Sequence, residues 1–334
     1  MMKKLTAILL LLLLLAGCAL QPQEGTLPGE DMTQATEAIE QTKPAETTAP
    51  TAPAREEKTP PSLSTGEIAR GSETLKVHFI DVGQADCALL ECGNSYALID
   101  AGYAESGDDV VEYLTDLGVQ RLNLVVGTHP HGDHIGGLPT VMKKIQTDNV
   151  WFSAIPYTNS TVNDFVYAAN KYSTGVQQPG IGQTFQLGGA TITVLGPVHS
   201  NYEDVNDISL VLMVQFGEIR FLFTGDMEQI AENDLMNSGA DVKADVLKVG
   251  HHGSYSSTGY VFLREVDPEF AVICCGRNNE YGHPHRDPMS RLQDAEVTIF
   301  RTDKMYTIVA TTDGTSLNFT WGNAYATPWT PDKG

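Results

Sequence analysis

Residues 128–137, Thr-His-Pro-His-Gly-Asp-His-Ile-Gly-Gly, put His129, His131, Asp133 and His134 within six positions, in the spacing H-x-H-x-D-H. Imidazole nitrogen and carboxylate oxygen are the donors that suit Zn²⁺ and its first-row neighbours. An apolar run at 122–126 leads into this stretch, and a Gly-Gly-Leu opening to a helix follows it. A loop leaving a buried strand in this way turns alternate side chains toward two adjacent cations. Ligand types this dense read as a metal site rather than a solvated turn.

Other polar clusters recur at the ends of apolar runs. Asp100 follows one, Asp226 another, the His251-His252 pair a third, and His283 sits in a Gly-His-Pro turn beyond a fourth. The elements that must position them are legible from periodicity. Strands are predicted at 75–80, 87–91 and 95–99, the last two joined through Gly93-Asn94. Val110, Val111, Leu114 and Leu117 recur at helical spacing, and 138–145 and 165–172 are also predicted helical. A short strand is expected at 150–152, then hairpins pairing 184–187 with 191–195 and 208–215 with 219–224. Strands at 244–249, 270–274, 297–300 and 306–310 close the pattern. Many strands with interleaved helices, and chemistry collected at strand ends, predict two packed sheets with helices outside.

The chain is 334 residues long, and its start is not part of that fold. Lys3-Lys4 precedes an apolar run at 5–15 that ends in Leu-Ala-Gly-Cys18, the form of a lipoprotein signal peptide over residues 1–18. Lipid on Cys18 would anchor the protein to the cell membrane, facing the extracellular side. Residues 19–70, rich in Thr, Pro, Ala, Glu and Gln, are expected to be a disordered tether. One domain is expected over 71–325, with a flexible C-terminus at 326–334. Net charge is −21; eight acidic and five basic residues through Thr65 account for −3, leaving −18 on the domain. Such a field opposes tight binding of an extended polyanion. Cys87, Cys92, Cys274 and Cys275 lack zinc-finger spacing and are expected to be buried free thiols.

The stretch 128–134 resembles the signature of metallo-β-lactamase-fold hydrolases, and Phe223-Thr224-Gly225-Asp226 resembles their later bridging aspartate. Residues 79–86, 247–254, 279–284 and 301–303 narrow the likeness to the hydrolase domain of ComEC-type competence DNA-uptake proteins and their stand-alone secreted relatives. Phosphorylcholine esterases are more distantly similar. The resemblance implies a four-layer αββα sandwich of the α/β class. It implies His129 and His131 on one metal, and Asp133, His134 and one of His251 and His252 on the other, with Asp226 between them. The remaining histidine of the pair, and His283, would serve catalysis as hydrogen-bond donor or general acid, with Asp133 in the catalytic set. The broader family's additional histidine is missing from 203–209, so Asn206, water or His199 would complete the first site.

Two divalent cations, Zn²⁺ or Mn²⁺, are the expected cofactors. The expected activity is hydrolysis of a phosphodiester, either nucleic acid or a smaller phosphorylcholine-type ester, with no obligate protein partner. Hydrolysis of an ester, lactone or β-lactam on the same fold is the alternative. Asp100 is expected to hydrogen-bond a ligand histidine. Asp81 and Asp86 are expected to organise their turn, and His78 to pack or lie exposed. His285, Thr302 and Asp303 are weaker candidates for the site.

Overall fold

The computed structural model describes residues 73–153 and 158–322. The expected signal peptide, lipidated Cys18, tether and C-terminal tail lie outside the described residues. In chain order the elements are β1 (Leu75–Phe79), β2 (Ala88–Cys92), β3 (Ser95–Ile99), α1 (Gly107–Asp116) and β4 (Arg121–Gly127). Next come α2 (Gly132–Ile135), α3 (Leu138–Lys144), β5 (Gln146–Phe152), α4 (Ser160–Tyr172) and β6 (Val176–Gln177). The second half holds β7 (Thr184–Leu187), β8 (Ala190–Gly196), β9 (Val211–Phe216), β10 (Ile219–Phe223) and α5 (Gln229–Asn237). There follow β11 (Val246–Lys248), α6 (Tyr260–Val266), β12 (Phe270–Ile273), α7 (Arg286–Asp294) and β13 (Thr298–Arg301). The last are α8 (Thr302–Met305), β14 (Thr307–Thr312) and β15 (Leu317–Gly322).

These strands form two sheets, an eight-stranded one ordered β15-β14-β1-β2-β3-β4-β5-β6 and a seven-stranded one ordered β13-β12-β11-β10-β9-β8-β7. Each central strand is buried on both faces, so its sequence reads as a near-continuous apolar run. On β3, Ala97 and Ile99 face the other sheet while Leu98 packs under the helices. On β10, Phe221 and Phe223 face inward and Leu222 packs on the opposite side. Phe79 and Phe223 stack across the inter-sheet core with ring centroids 5.8 Å apart. Two sheets between helical layers are the αββα sandwich expected from the resemblance. Cys87, Cys92, Cys274 and Cys275 are buried free thiols. Among the described residues no helix is long and apolar enough to cross a membrane.

Several expected boundaries move. The strand expected from residue 208 begins at Val211, because Val205–Ile208 forms a 3-10 turn. Helix α4 starts at Ser160 rather than 165, since the Asn159 side chain accepts the Val162 N–H at 2.8 Å. Strand β5 starts at Gln146 because parallel pairing with β4 recruits polar residues that alternation alone does not mark. Helices α5, α6 and α7 and the edge strand β15 are additions to the expected pattern. Helix α7 buries only Pro288 and Leu292, too little for a clear apolar period.

The two glycines ending the loop at 128–137 are fixed by packing. A Cβ on Gly137 would overlap the Ala101 carbonyl, and one on Gly136 would meet the Gly132 carbonyl and the Ala104 amide. The loop after β3 and the loop after β4 are therefore pressed together backbone to backbone. Gly137→Ala is expected to destabilise the fold by about 1–3 kcal/mol. Urea unfolding checks this, and an unchanged midpoint would show that the contact relaxes freely.

Candidate metal centre

Parallel strands deliver the site from their C-terminal ends. Asp100 leaves β3, His129 to His134 leave β4, Asp226 leaves β10, and His251 and His252 leave β11. Asp100 sits at φ 58°, which turns its carboxylate under the neighbouring loop. There it accepts the Thr128 N–H at 2.8 Å, the Thr128 hydroxyl at 2.7 Å and His134 Nδ1 at 2.8 Å. Its expected partnership with a ligand histidine is thus present, and it also ties down the loop's first residue.

His129, His131 and Asp226 form one group able to hold a cation, and Asp133, His134, Asp226 and His252 form a second that shares Asp226. Asp226 is 1 % exposed and His129 and His134 are fully buried. His134 Nε2 lies 3.2 Å from Asp226 Oδ2, and His252 Nε2 lies 3.2 Å from Asp133 Oδ2 and 3.5 Å from Asp226 Oδ2. With His134 Nδ1 held by Asp100 and His252 Nδ1 held by the Cys274 carbonyl at 3.0 Å, each ring would offer an Nε2 lone pair once a cation displaced the proton that the surrounding carboxylates favour there. Those two nitrogens and Asp226 Oδ1 are buried without a hydrogen-bond partner among the described residues. Lone pairs aimed at carboxylate oxygens repel unless a proton or a cation lies between them. The donor set therefore fits divalent cations.

The electrostatics agree. Burial opposes charge on His134 and His252, yet Asp226 with Asp100 for the first, and Asp226 with Asp86 for the second, hold both well above the usual imidazole pKa. Burial also opposes ionisation of Asp226, but those imidazoles keep it well below the ordinary carboxylate value. Burial and repulsion from His134 hold His129 well below its usual pKa, as a neutral donor atom.

The two histidines after β11 divide their roles. His251 and His252 sit in left-handed backbone at φ 49° and 53°, a region costly for side-chain-bearing residues and enriched at functional sites. This turn brings both imidazoles to one site, where an extended pair would point them to opposite faces. His252 joins the second ligand group. His251 Nε2 is 3.7 Å from Asp226, while its Nδ1 lies 3.1 Å from Glu228 Oε1. Glu228 is further tied by the Ser256 hydroxyl at 2.8 Å. The His283 ring lies 5.7 Å from that of His251 and is held by Gln84 at 3.1 Å. Burial and the neighbouring imidazoles push the His283 pKa down to about 4.

Glu228, Gln84 and Lys248 are additions to the expected site residues. Lys248 left a signal, a charge inside the apolar run at 246–249. It is 4 % exposed, and its Nζ meets Asp86 Oδ2 at 2.6 Å. The expectation that Asp86 mainly organises a turn needs correction, because it lies beneath His252 with Oδ1 3.2 Å from Nδ1. Asp81 does organise the turn, accepting the Gly83 N–H. His78 packs against the Tyr113 hydroxyl at 2.8 Å. Neither proposed replacement for the missing histidine joins a ligand group. His199 lies half-exposed, 3.8 Å from Asp234, and Asn206 donates to Glu228. His285 flanks the mouth, its ring 4.7 Å from that of His283. Thr302 binds the backbone after β12, and Asp303 pairs with Arg301.

A model of the family described as the Metallo-beta-lactamase superfamily matches residues 80–277. ComE operon protein 3 of Bacillus subtilis is 30 % identical over 251 residues, covering 70 % of this chain and 32 % of that protein. Competence protein ComA of Neisseria gonorrhoeae is 32 % identical over 225 residues, covering 67 % of this chain and 30 % of that protein. The chain thus spans about a third of the length of these curated relatives. The metallo-beta-lactamase fold protein YhfI of Bacillus subtilis matches with a TM-score of 0.48 and 13 % identity, over 70 % of this chain and 98 % of that one.

Asp100→Asn keeps the volume of the buried carboxylate but removes the charge on His134. It is expected to weaken metal affinity by about 10–100-fold while the protein stays folded. Equilibrium dialysis beside circular dichroism checks this, and undiminished affinity would show that Asp100 serves only the loop.

Proposed function

Since the chain belongs to the metallo-beta-lactamase superfamily, we propose that it is a two-metal phosphodiesterase, tethered by lipid on Cys18 at the extracellular side of the cell membrane. The observation that carries this reading is the facing of Nε2 atoms and carboxylates around Asp226. Charge supports a pair of cations. Asp86, Asp100, Asp133, Asp226 and Glu228 bring five carboxylates to the centre, and Lys248 offsets one. With protonated His251 offsetting Glu228, three negative charges are left, an excess that divalent cations would neutralise. Zn²⁺ or Mn²⁺ suits this shell of imidazole and carboxylate.

His129, His131 and Asp226 would hold one ion, and Asp133, His134, Asp226 and His252 the other. Bound there, such a pair lowers the pKa of a water and neutralises charge on a phosphoryl group. The protein's own side chains do the rest. Glu228 accepts from His251 Nδ1 and, against the cost of burial, raises its pKa, so that Nε2 carries a proton. His251 is a quarter exposed at the mouth and delivers that proton to the leaving oxygen. His283, neutral at physiological pH, hydrogen-bonds a non-bridging oxygen. A mouth ringed by the imidazoles of His251, His283 and His285 favours an anionic phosphodiester over a neutral amide or ester.

The full-length protein is expected to hydrolyse bis(p-nitrophenyl) phosphate, to lose activity with chelator and to regain it with Zn²⁺ or Mn²⁺. Asp226→Ala is expected to lower the rate by about a thousandfold or more, as for loss of a metal-bridging group. Turnover of nitrocefin or a lactone with none of the phosphodiester would replace this reading with the ester or β-lactam alternative. Glu228→Gln is expected to lower kcat by about 10²-fold with metal content unchanged. An equal loss of bound metal would make Glu228 part of the metal site instead.

A further inference from the structure

We infer that Gln84 is a positioning residue that fixes the tautomer of His283, so that this imidazole presents an Nε2 N–H to the anionic oxygen of the substrate. This rests on the phosphodiesterase reading and deepens it, by naming the group that sets how the mouth meets its substrate. The backbone N–H of Gly276 lies 2.9 Å from the side-chain oxygen of Gln84. A backbone N–H only donates, so the atom facing it is Oε1 and the amide cannot be turned round. The other end of that amide, Nε2, lies 3.1 Å from His283 Nδ1. An amide NH₂ also only donates, so Nδ1 is the acceptor. Burial and the neighbouring imidazoles keep the ring neutral, and its one proton therefore sits on Nε2. The approach is built into the chain, because a Cβ on Gly276 would come within 2.7 Å of the Gln84 backbone nitrogen. Asn279 holds the His283 backbone at both ends, donating to its carbonyl at 2.6 Å and accepting its N–H at 2.9 Å. Tyr281 stacks on the ring, with centroids 5.7 Å apart. The imidazole is thus clamped with Nδ1 on Gln84.

The neighbouring imidazoles obey the same rule with different partners. His134, His251 and His252 each face an acceptor through Nδ1, namely Asp100, Glu228 and the Cys274 carbonyl. Nδ1 carries a proton in all three. His285 goes with His283, because its Nδ1 faces the Tyr255 backbone N–H at 3.1 Å and so accepts. The two rings at the mouth, with centroids 4.7 Å apart, therefore both carry N–H at Nε2. Non-bridging phosphoryl oxygens are acceptors only, so they pair with such nitrogens, whereas a bare Nε2 would repel them. For His283 the choice belongs to one amide. Gln84→Glu keeps an oxygen for the Gly276 N–H but offers Nδ1 an acceptor in place of a donor. The proton then moves to Nδ1, the arrangement that Glu228 already imposes on His251 Nδ1, and Nε2 meets the substrate with a lone pair.

The test uses the intact, zinc-loaded protein with isotopically labelled histidine nitrogens, at about pH 9. A carboxylate at residue 84 lifts the His283 pKa from about 4 to about 7 at most, so the ring is neutral there with either side chain. Long-range nitrogen–proton spectra tell a protonated ring nitrogen from a bare one. His283→Gln identifies the His283 signals among the nine histidines. The wild type is expected to show a protonated Nε2 and a bare Nδ1 at His283, and Gln84→Glu the reverse, with the His285 signals unmoved as the control for folding. Gln84→Glu should lower kcat/KM for bis(p-nitrophenyl) phosphate by about ten- to a hundredfold with metal content unchanged. In a His283→Gln background the same substitution should cost no more than about twofold. A wild-type proton on Nδ1, or a tautomer that ignores Gln84→Glu, would overturn the assignment whatever the activity. A switched tautomer with the same loss in both backgrounds would show that the new charge acts directly, and would overturn the role toward substrate. A wild type that cleaves no phosphodiester would overturn the underlying reading and that role with it, while the spectra still decide the tautomer.

Discussion

Asp226 is the constraint around which the molecule is arranged. A carboxylate 1 % exposed, with imidazoles and a second carboxylate pressed against it, cannot remain an isolated charge. Desolvation of such a group is repaid only by counter-charge at short range. His134 and His252 approach it with their Nε2 atoms, and Asp133 meets the same nitrogen of His252. Every neighbouring choice follows from holding these atoms together. Asp100 fixes one ring, the Cys274 carbonyl fixes another, and the Ser209 hydroxyl accepts the Asp226 N–H.

A polar cluster of this kind contributes little to folding, and the apolar layers bear that load. Three buried clusters flank and separate the sheets, and the aromatic pair Phe79 and Phe223 closes the core directly below the site. The rigid strand ends then act as a frame. The candidate ligands sit in the short loops and turns that leave these strand ends, with Asp133 and His134 carried on the short α2, so that side chains from both sheets converge. The backbone-to-backbone contact of Gly137 with Ala101 locks the two loops of the eight-stranded sheet, and the left-handed turn at His251 and His252 completes the cluster from the other sheet.

Charge partitioning extends this logic to the surface. The domain is strongly acidic, and most of its lysines and arginines are spent on local carboxylates. The Lys248 and Asp86 pair shows the same pairing carried inward, where it offsets one carboxylate beneath His252 without adding a ligand.

The sequence by itself determined the candidate metal-binding stretch, the strands that carry it and the two-sheet class. H-x-H-x-D-H needs only local spacing, and strands buried on both faces announce themselves as apolar runs. It also marked Asp100, Asp226 and the histidine pair, because each follows such a run. Helices α5 and α7, with little buried apolar surface, left no comparable trace, and the start of β5 was hidden by polar residues recruited through pairing. Tertiary structure alone placed His252 in a group able to hold a cation while His251 turns to Glu228. It alone set His199 and Asn206 apart from the ligands, and brought Lys248, Asp86 and Gln84 beneath or beside the site. Those outcomes depend on which strand ends lie next to one another, and on a left-handed turn between two adjacent residues. Neither is encoded in the spacing of any single stretch.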